Sequence, residues 1–405
     1  MLQTNRLSQE PLCSLTCASG LRNSLTLLQS TLFPALEQAG GELGKSAQRL
    51  VATLEMIPLA GFVPCSRGWR GRPSEDRSAI ACAFVAKTVY GFTTTRQLRE
   101  ALQRDAPLRR ICGWETARQV PHEATCWRAF AEFAHMQLPQ FVHAALVRET
   151  QKERLIGHIA RDSTAMEARE RFPETPAQAK TRKTKQVTGR PRGKKGCGPH
   201  KRYKGGKPPY VPQPDTRLQK QRSMKLPGML ADLPQQCDIG GKQNSQGNTD
   251  YGRGYKLHLD VADGQIPISA VLSSASLHDS QVAIPLATMS TQRVTYGYEL
   301  MDAAYAAHHI IEQSRQMGHV PIVDPADRGR KKPGFLATPP RQLSPAQRNR
   351  YKERTRVERV NARLQDELGA RHVRVRGPAK VMAHLMFGVL ALTADQWLRL
   401  GGITA

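Results

Sequence analysis

Hydrophobic and polar positions follow a helical period over residues 74–136 and an alternating period from residue 254 onward. "SEDRSAIACAFVAKTVYG" predicts a helix closing near Gly91, and "TTRQLREALQRD" a second, opened by Thr94 with Gln97 three residues on as a capping box. In "HEATCWRAFAEFAHM" the residues Trp127, Phe130, Phe133 and Ala134 fall at helical spacing. Short helices with tight connections suit either a helix-turn-helix unit or a plain helical bundle. Farther on, "GYKLHLDV" and "IPISAVLS" alternate as strands joined through Asp263-Gly264, a strong hairpin signal, with Tyr255, Leu257, Leu259 and Val261 on one face. A helix with a Pro-marked bend in "HDSQVAIPLATM", a short strand in "YELMDAAY", a helix in "AAHHIIEQSRQMG" and a short strand in "HVPIVDP" follow. Upstream, "RLIGHIARDST" reads as a short strand ending at Asp162. The fold class is therefore α/β behind an all-helical N-terminal domain.

Between these two regimes the pattern disappears. Residues 180–225 hold sixteen Lys or Arg against the single acid Asp215, too few apolar groups for a core, and are expected to form a flexible basic arm. Within it "GRPRGKK" resembles an AT-hook, with Arg190, Arg192, Lys194 and Lys195 as DNA contacts. The arm supplies more than half of a net charge of +26, which points to a polyanionic partner, chiefly nucleic acid. None of the eight cysteines forms the Cys-x2-Cys pairs of zinc sites, so reduced thiols in a cytoplasmic protein are expected. The most apolar stretch, Val381–Ala394, spans 14 residues and includes His384. A membrane span needs about 20 residues, so a buried core helix and no membrane partner are expected.

The chemistry concentrates around Glu358. Ser344, Pro345 and Gln347 open a helix that Gly369 would close roughly seven turns later. On its wheel Tyr351, Arg354, Glu358 and Gln365 fall within about 60° of one another, while Arg356, Arg359 and Arg363 occupy another face. Asp162 and Asp302 each follow a short apolar strand. Three convergent carboxylates suit Mg2+, a hard cation that also takes water and phosphate oxygens. Simpler roles remain open: Asp162 as a strand terminator, Asp302 as the cap of the helix starting near Ala303, and Glu358 as the i, i+4 partner of Arg354. Asp260 and Asp279 compete less well for the metal, Asp279 reading as a cap, and His158 reads as a packed or hydrogen-bonded histidine.

Tyr351, Arg354 and Glu358 in "YKERTRVERVNARLQ", with "IARDST" and "LMDAAY" before them, resemble bacterial insertion-sequence DDE transposases of the Tyr-x2-Arg-x3-Glu-x6-Lys group. The helical segments of residues 71–133 resemble their N-terminal domain, so the likeness spans roughly 70–400 apart from the arm. It implies an RNase H-like catalytic domain, a mixed five-stranded sheet flanked by helices, with Asp162, Asp302 and Glu358 as catalytic metal ligands for Mg2+, or Mn2+ as a substitute. It further implies binding of double-stranded DNA at transposon ends and target, cleavage, joining of the 3′-hydroxyl to the target, a homodimer in the synaptic complex and a place at the bacterial nucleoid. Tyr351 and Arg354 would contact DNA. The group's final Lys falls on Gln365, which loses that charge. The implied domains are an uncertain segment 1–50, a helical DNA-binding domain 51–145, the first strand 146–170, the arm 171–235 and the rest of the catalytic domain 236–405. Two rivals stand beside this: a metal-dependent nuclease without strand transfer, and a catalytically inactive DNA-binding descendant.

Overall fold

The computed structural model describes residues 43–63, 75–151, 154–170, 216–243, 249–324 and 343–401. Segment 1–42 and the AT-hook-like residues Arg190, Arg192, Lys194 and Lys195 lie outside them.

Six helices come first: α1 (Lys45–Met56), α2 (Arg77–Val89), α3 (Thr95–Arg104), α4 (Ala106–Ile111), α5 (Glu123–His135) and α6 (Leu138–Gln151). The expected capping box is present, Gln97 N–H donating to Thr94 Oγ1 at 3.1 Å and Gln97 Oε1 accepting from Thr94 N–H. Gly91 takes φ +67°, which lets the chain turn after α2.

A mixed sheet follows: β1 (Ile156–Glu167), β2 (Asp238–Gln243), β3 (Thr249–Ala262), β4 (Ile266–Ser274), β5 (Tyr296–Met301) and β6 (Val320–Val323). β1 is central, antiparallel to β3 and parallel to β5, and β5 is parallel to β6. The other edge of β3 is shared by β2, along its first half, and β4, along its second. The sheet thus has six strands, one more than the five expected. The extra one, "DIGGKQ", lacks any alternation to betray it, and its Gly240 passes so close to the chain that a Cβ there would meet Ala275 O at 2.4 Å.

β1 also runs five residues past Asp162. Polar "DST" reads as an end, but antiparallel pairing to β3 continues through Glu167, and Met166 returns to the core. The stretch taken as arm is folded at its far end: α7 (Arg217–Ser223) and α8 (Leu226–Asp232) pack on α9 (Ala283–Thr291), with Gln221 and Met229 buried. α10 (His308–Gln316) lies between β5 and β6 in sequence.

The helix around Glu358 is not one rod. α11 (Pro345–Tyr351) and α12 (Thr355–Asp366) are joined by a 3-10 turn at Lys352–Arg354, where Thr355 Oγ1 donates to the Lys352 carbonyl at 3.1 Å and so competes with the regular ladder. The last helix, α13 (Pro378–Leu400), meets the length and apolarity of a membrane span but is mostly buried. It packs on α1, α2, α5, α6, α12 and β4, and Phe387 joins Phe84 and Phe130 in an aromatic cluster with centroids 4.8–6.3 Å apart. The N-terminal helices and the C-terminal helix therefore share one core.

Candidate active site

Parallel pairing sets the first relation. Ile156 faces Tyr296, His158 faces Tyr298 and Ala160 faces Leu300. Carrying that register two residues on sets Asp162 beside Asp302, just beyond the last β5 pair. Asp302 also accepts from Ala304 N–H at 2.9 Å, capping a 3-10 turn at Ala303–Tyr305, so the cap role and the convergence coexist.

α12 brings Glu358 over the same point. Its back face is held to α13 by Arg363, which pairs with Asp395 at 2.5 Å and donates to Gln396 at 2.9 Å. Arg363 therefore cannot replace the missing lysine, as its position on the wheel implied. On the front face Gln365 Nε2 donates to Thr164 Oγ1 of β1 at 2.8 Å.

Arg354 occupies the centre. Its Nη1 donates to Glu358 Oε1 at 2.6 Å, while Nη2 lies 3.9 Å from both Asp162 Oδ1 and Asp302 Oδ2. One guanidinium thus touches three carboxylates drawn from β1, the end of β5 and α12. Such an arrangement is a place built for positive charge. Glu358 is the most exposed of the three acids, with 53 % of its side chain accessible, so the pair with Arg354 by itself adds little stability. Burial pushes the Asp162 carboxyl up to about 6, against the pull of Arg354 and of the Ser163 amide. Burial likewise raises the Tyr351 phenol to about 12, which leaves it a neutral hydrogen-bond donor beside the acids.

Among the described residues the three carboxylates do not close on one another to within 4.8 Å, as the ligand atoms of His308, His309 and Glu312 on α10 do. The guanidinium stands between them. Glu312 of that second cluster is already engaged by Arg222 Nη1 at 2.9 Å.

The competing acids have other work. Asp260 is fully buried on the opposite face of β3, held by two bonds from Arg161 at 2.8 and 2.9 Å and one from Ser290 Oγ at 2.7 Å. Asp279 is not a cap: it pairs with Lys256 Nζ at 2.9 Å, and His278 Nδ1 caps the turn by accepting from Ser280 N–H. His158 is hydrogen-bonded, its Nδ1 3.1 Å from Asp263 Oδ1, and Asp263 also takes Arg356 of α12. The sequence left Asp263 as a turn residue and passed over Arg161 altogether. An arginine inside an apolar strand, directly before "DST", was the available signal for the second.

Two family models match the chain: "Transposase DDE domain" over residues 216–394, and "Transposase domain (DUF772)" over residues 44–132. The chain is an insertion-sequence DDE transposase. The first match contains Asp302, Arg354 and Glu358, and begins after β1, so Asp162 joins the group through the sheet register and its approach to Arg354. The second covers α1 to most of α5 of the transposase. No curated protein matches the chain. The transposase is an enzyme that acts on DNA, and its family generally uses divalent metal ions.

Proposed function

We propose that the chain binds the terminal inverted repeats of its element as a dimer, cleaves DNA at the ends and joins the freed 3′-hydroxyl to target DNA. The observation that carries this is Arg354 touching Asp162, Asp302 and Glu358 at once. Strands β1, β3 and β4 antiparallel, followed by β5 and β6 parallel to β1, support an RNase H-like assignment. Oxygen-only donors of this kind fit Mg2+, or Mn2+ in its place. Asp162, Asp302 and Glu358 would hold it, and when bound it would supply Lewis-acid charge at the phosphate oxygens being displaced.

The remaining work falls to the chain's own groups. For the carboxylates to serve as ligands Arg354 must leave them, and its fork is then free to grip a DNA phosphate. Tyr351 donates from a neutral phenol, which adds no negative charge beside the strand. Gln365 offers an amide where the related group carries an ammonium, and in that it favours the second reading, an inactive descendant that still binds DNA.

The test uses a plasmid carrying a marker between the ends of the element, incubated with Mg2+ and either wild type or Glu358→Gln. Excision by wild type alone, with both proteins binding the ends, is the expected result, and a joined product excludes a simple nuclease. Loss of end binding together with cleavage in Glu358→Gln would assign Glu358 a structural role. Gln365→Lys is expected to tighten end binding up to about tenfold, the scale of one charge-assisted hydrogen bond. A gel-shift titration checks it; weaker binding would mean that the Thr164 contact matters more than charge.

A further inference from the structure

Away from the acids, a cavity of about 170 Å³ lies where α2, the first turn of α3, α5, segment 371–377 and α13 meet. Lys87 and Arg374 line it, and among the described residues neither has an acidic partner. Burial lowers the Lys87 ammonium to about 8, with the Arg374 charge adding to that effect. His372 and His384 also line the cavity, His384 being kept neutral by burial, with its Nε2 3.2 Å from the Gly369 carbonyl. The single acid on the wall, Glu123, accepts from Trp127 Nε1 at 3.3 Å. The half-buried Lys87 ammonium and the exposed Arg374 guanidinium repel each other across the cavity, and an anion between them would relieve that repulsion.

The polar groups of the α3 end point to the same conclusion. Thr93 and Thr94 spend their hydroxyls on Gln97. Thr95 is only 1 % exposed, lines the cavity, and its Oγ1 has no hydrogen-bond partner. It stands at the start of a ten-residue helix, where first-turn N–H groups and the helix dipole favour negative charge. Segment 371–377 holds the mouth open to solvent: Val373 and Val375 are buried while Arg371, His372, Arg374 and Arg376 stay exposed. Its end is fixed by Gly377 N–H donating to Glu170 Oε1 at 2.8 Å.

We infer that this cavity binds one phosphate group of the DNA backbone, gripped by Lys87, Arg374 and Thr95. The volume is well below the roughly 300–1,000 Å³ of ordinary small-molecule sites, so a phosphate fits better than a cofactor. A DNA source is favoured over a free ion because the mouth is basic and exposed. The inference rests on the chain acting on DNA and is independent of the metal ligands.

The test measures binding of a labelled short duplex to the full chain in EDTA over a range of salt. Lys87→Met and Arg374→Gln are each expected to weaken binding roughly tenfold and to flatten the slope of log K against log salt by about 0.9, the value for one phosphate. The double variant should flatten it no further, because both cations serve the same phosphate. Lys87→Met should melt at or above the wild-type temperature, which separates lost binding from lost folding. Unchanged binding in Lys87→Met, or an equal loss in the neighbouring Arg376→Gln with none in Lys87→Met, would overturn the site. Inorganic phosphate raising the melting temperature while every variant keeps the wild-type slope would assign the cavity to a free anion and overturn the DNA assignment. Asp302→Asn should bind with the wild-type slope, so failure of catalysis and failure of this site remain distinct.

Discussion

Arg161→Met is expected to cost about 3–5 kcal/mol of stability, the scale for breaking a buried ion pair by removing one partner, and to lower the melting temperature on the order of 10 °C. Arg161 is 1 % exposed at the centre of the sheet. It donates to Asp260 through Nε and Nη2, and Nη2 reaches Glu299 Oε1 at 3.3 Å. Tyr296 donates to the same Glu299 oxygen at 2.7 Å. Burial works against the guanidinium charge, but Asp260 and Glu299 outweigh it and keep Arg161 protonated. Without Arg161 two carboxylates are left in the interior with no cation. Replacing Arg161, Asp260 and Glu299 together by Met, Leu and Met is expected to recover most of the loss, since buried ion clusters are often matched by well-packed apolar groups. Thermal melts of the single and triple variants check this; a single variant that melts like wild type would mean the two acids are neutral in the fold.

Asp162→Asn, one residue along, is expected to do the reverse. Strand cleavage should fall by at least about a hundredfold to a thousandfold, the scale of removing one electrostatic stabiliser of a charged transition state. The melting temperature should stay near wild type, because the Asp162 carboxylate meets Arg354 only at 3.9 Å, sits among two other acids, and its Ser163 amide contact can be kept by the Asn carbonyl oxygen. End binding in EDTA should be unchanged. Cleavage and melting measured on the same preparation decide it, and an active Asp162→Asn would remove this residue from the catalytic group. The two neighbours differ because successive strand residues face opposite sides of the sheet.

How far the sequence carries depends on the range of the interaction. Local signals were legible: the boxes Thr94/Gln97 and Ser344/Gln347, the Asp263-Gly264 turn and the face of Tyr351, Arg354, Glu358 and Gln365 all follow from contacts within a few residues. The full length of β1 and the existence of β2 were not, because ladder pairing to β3 holds polar and glycine-rich segments that carry no hydrophobic period. Nor was the 3-10 break before α12, at a point where composition still reads as helix.

By itself the sequence determined the chain's strong positive charge, its α/β pattern and which acids follow which elements, since charge, period and order are properties of the chain alone. Only the tertiary structure set Asp162 beside Asp302, 140 positions apart, through the β1–β5 register, and laid Arg354 across both and Glu358. It also hid Arg161 with Asp260 and set Lys87 and Arg374 on one cavity wall, neither with an acidic partner among the described residues. Pairing across such distances is fixed by burial and strand register, which no local pattern encodes.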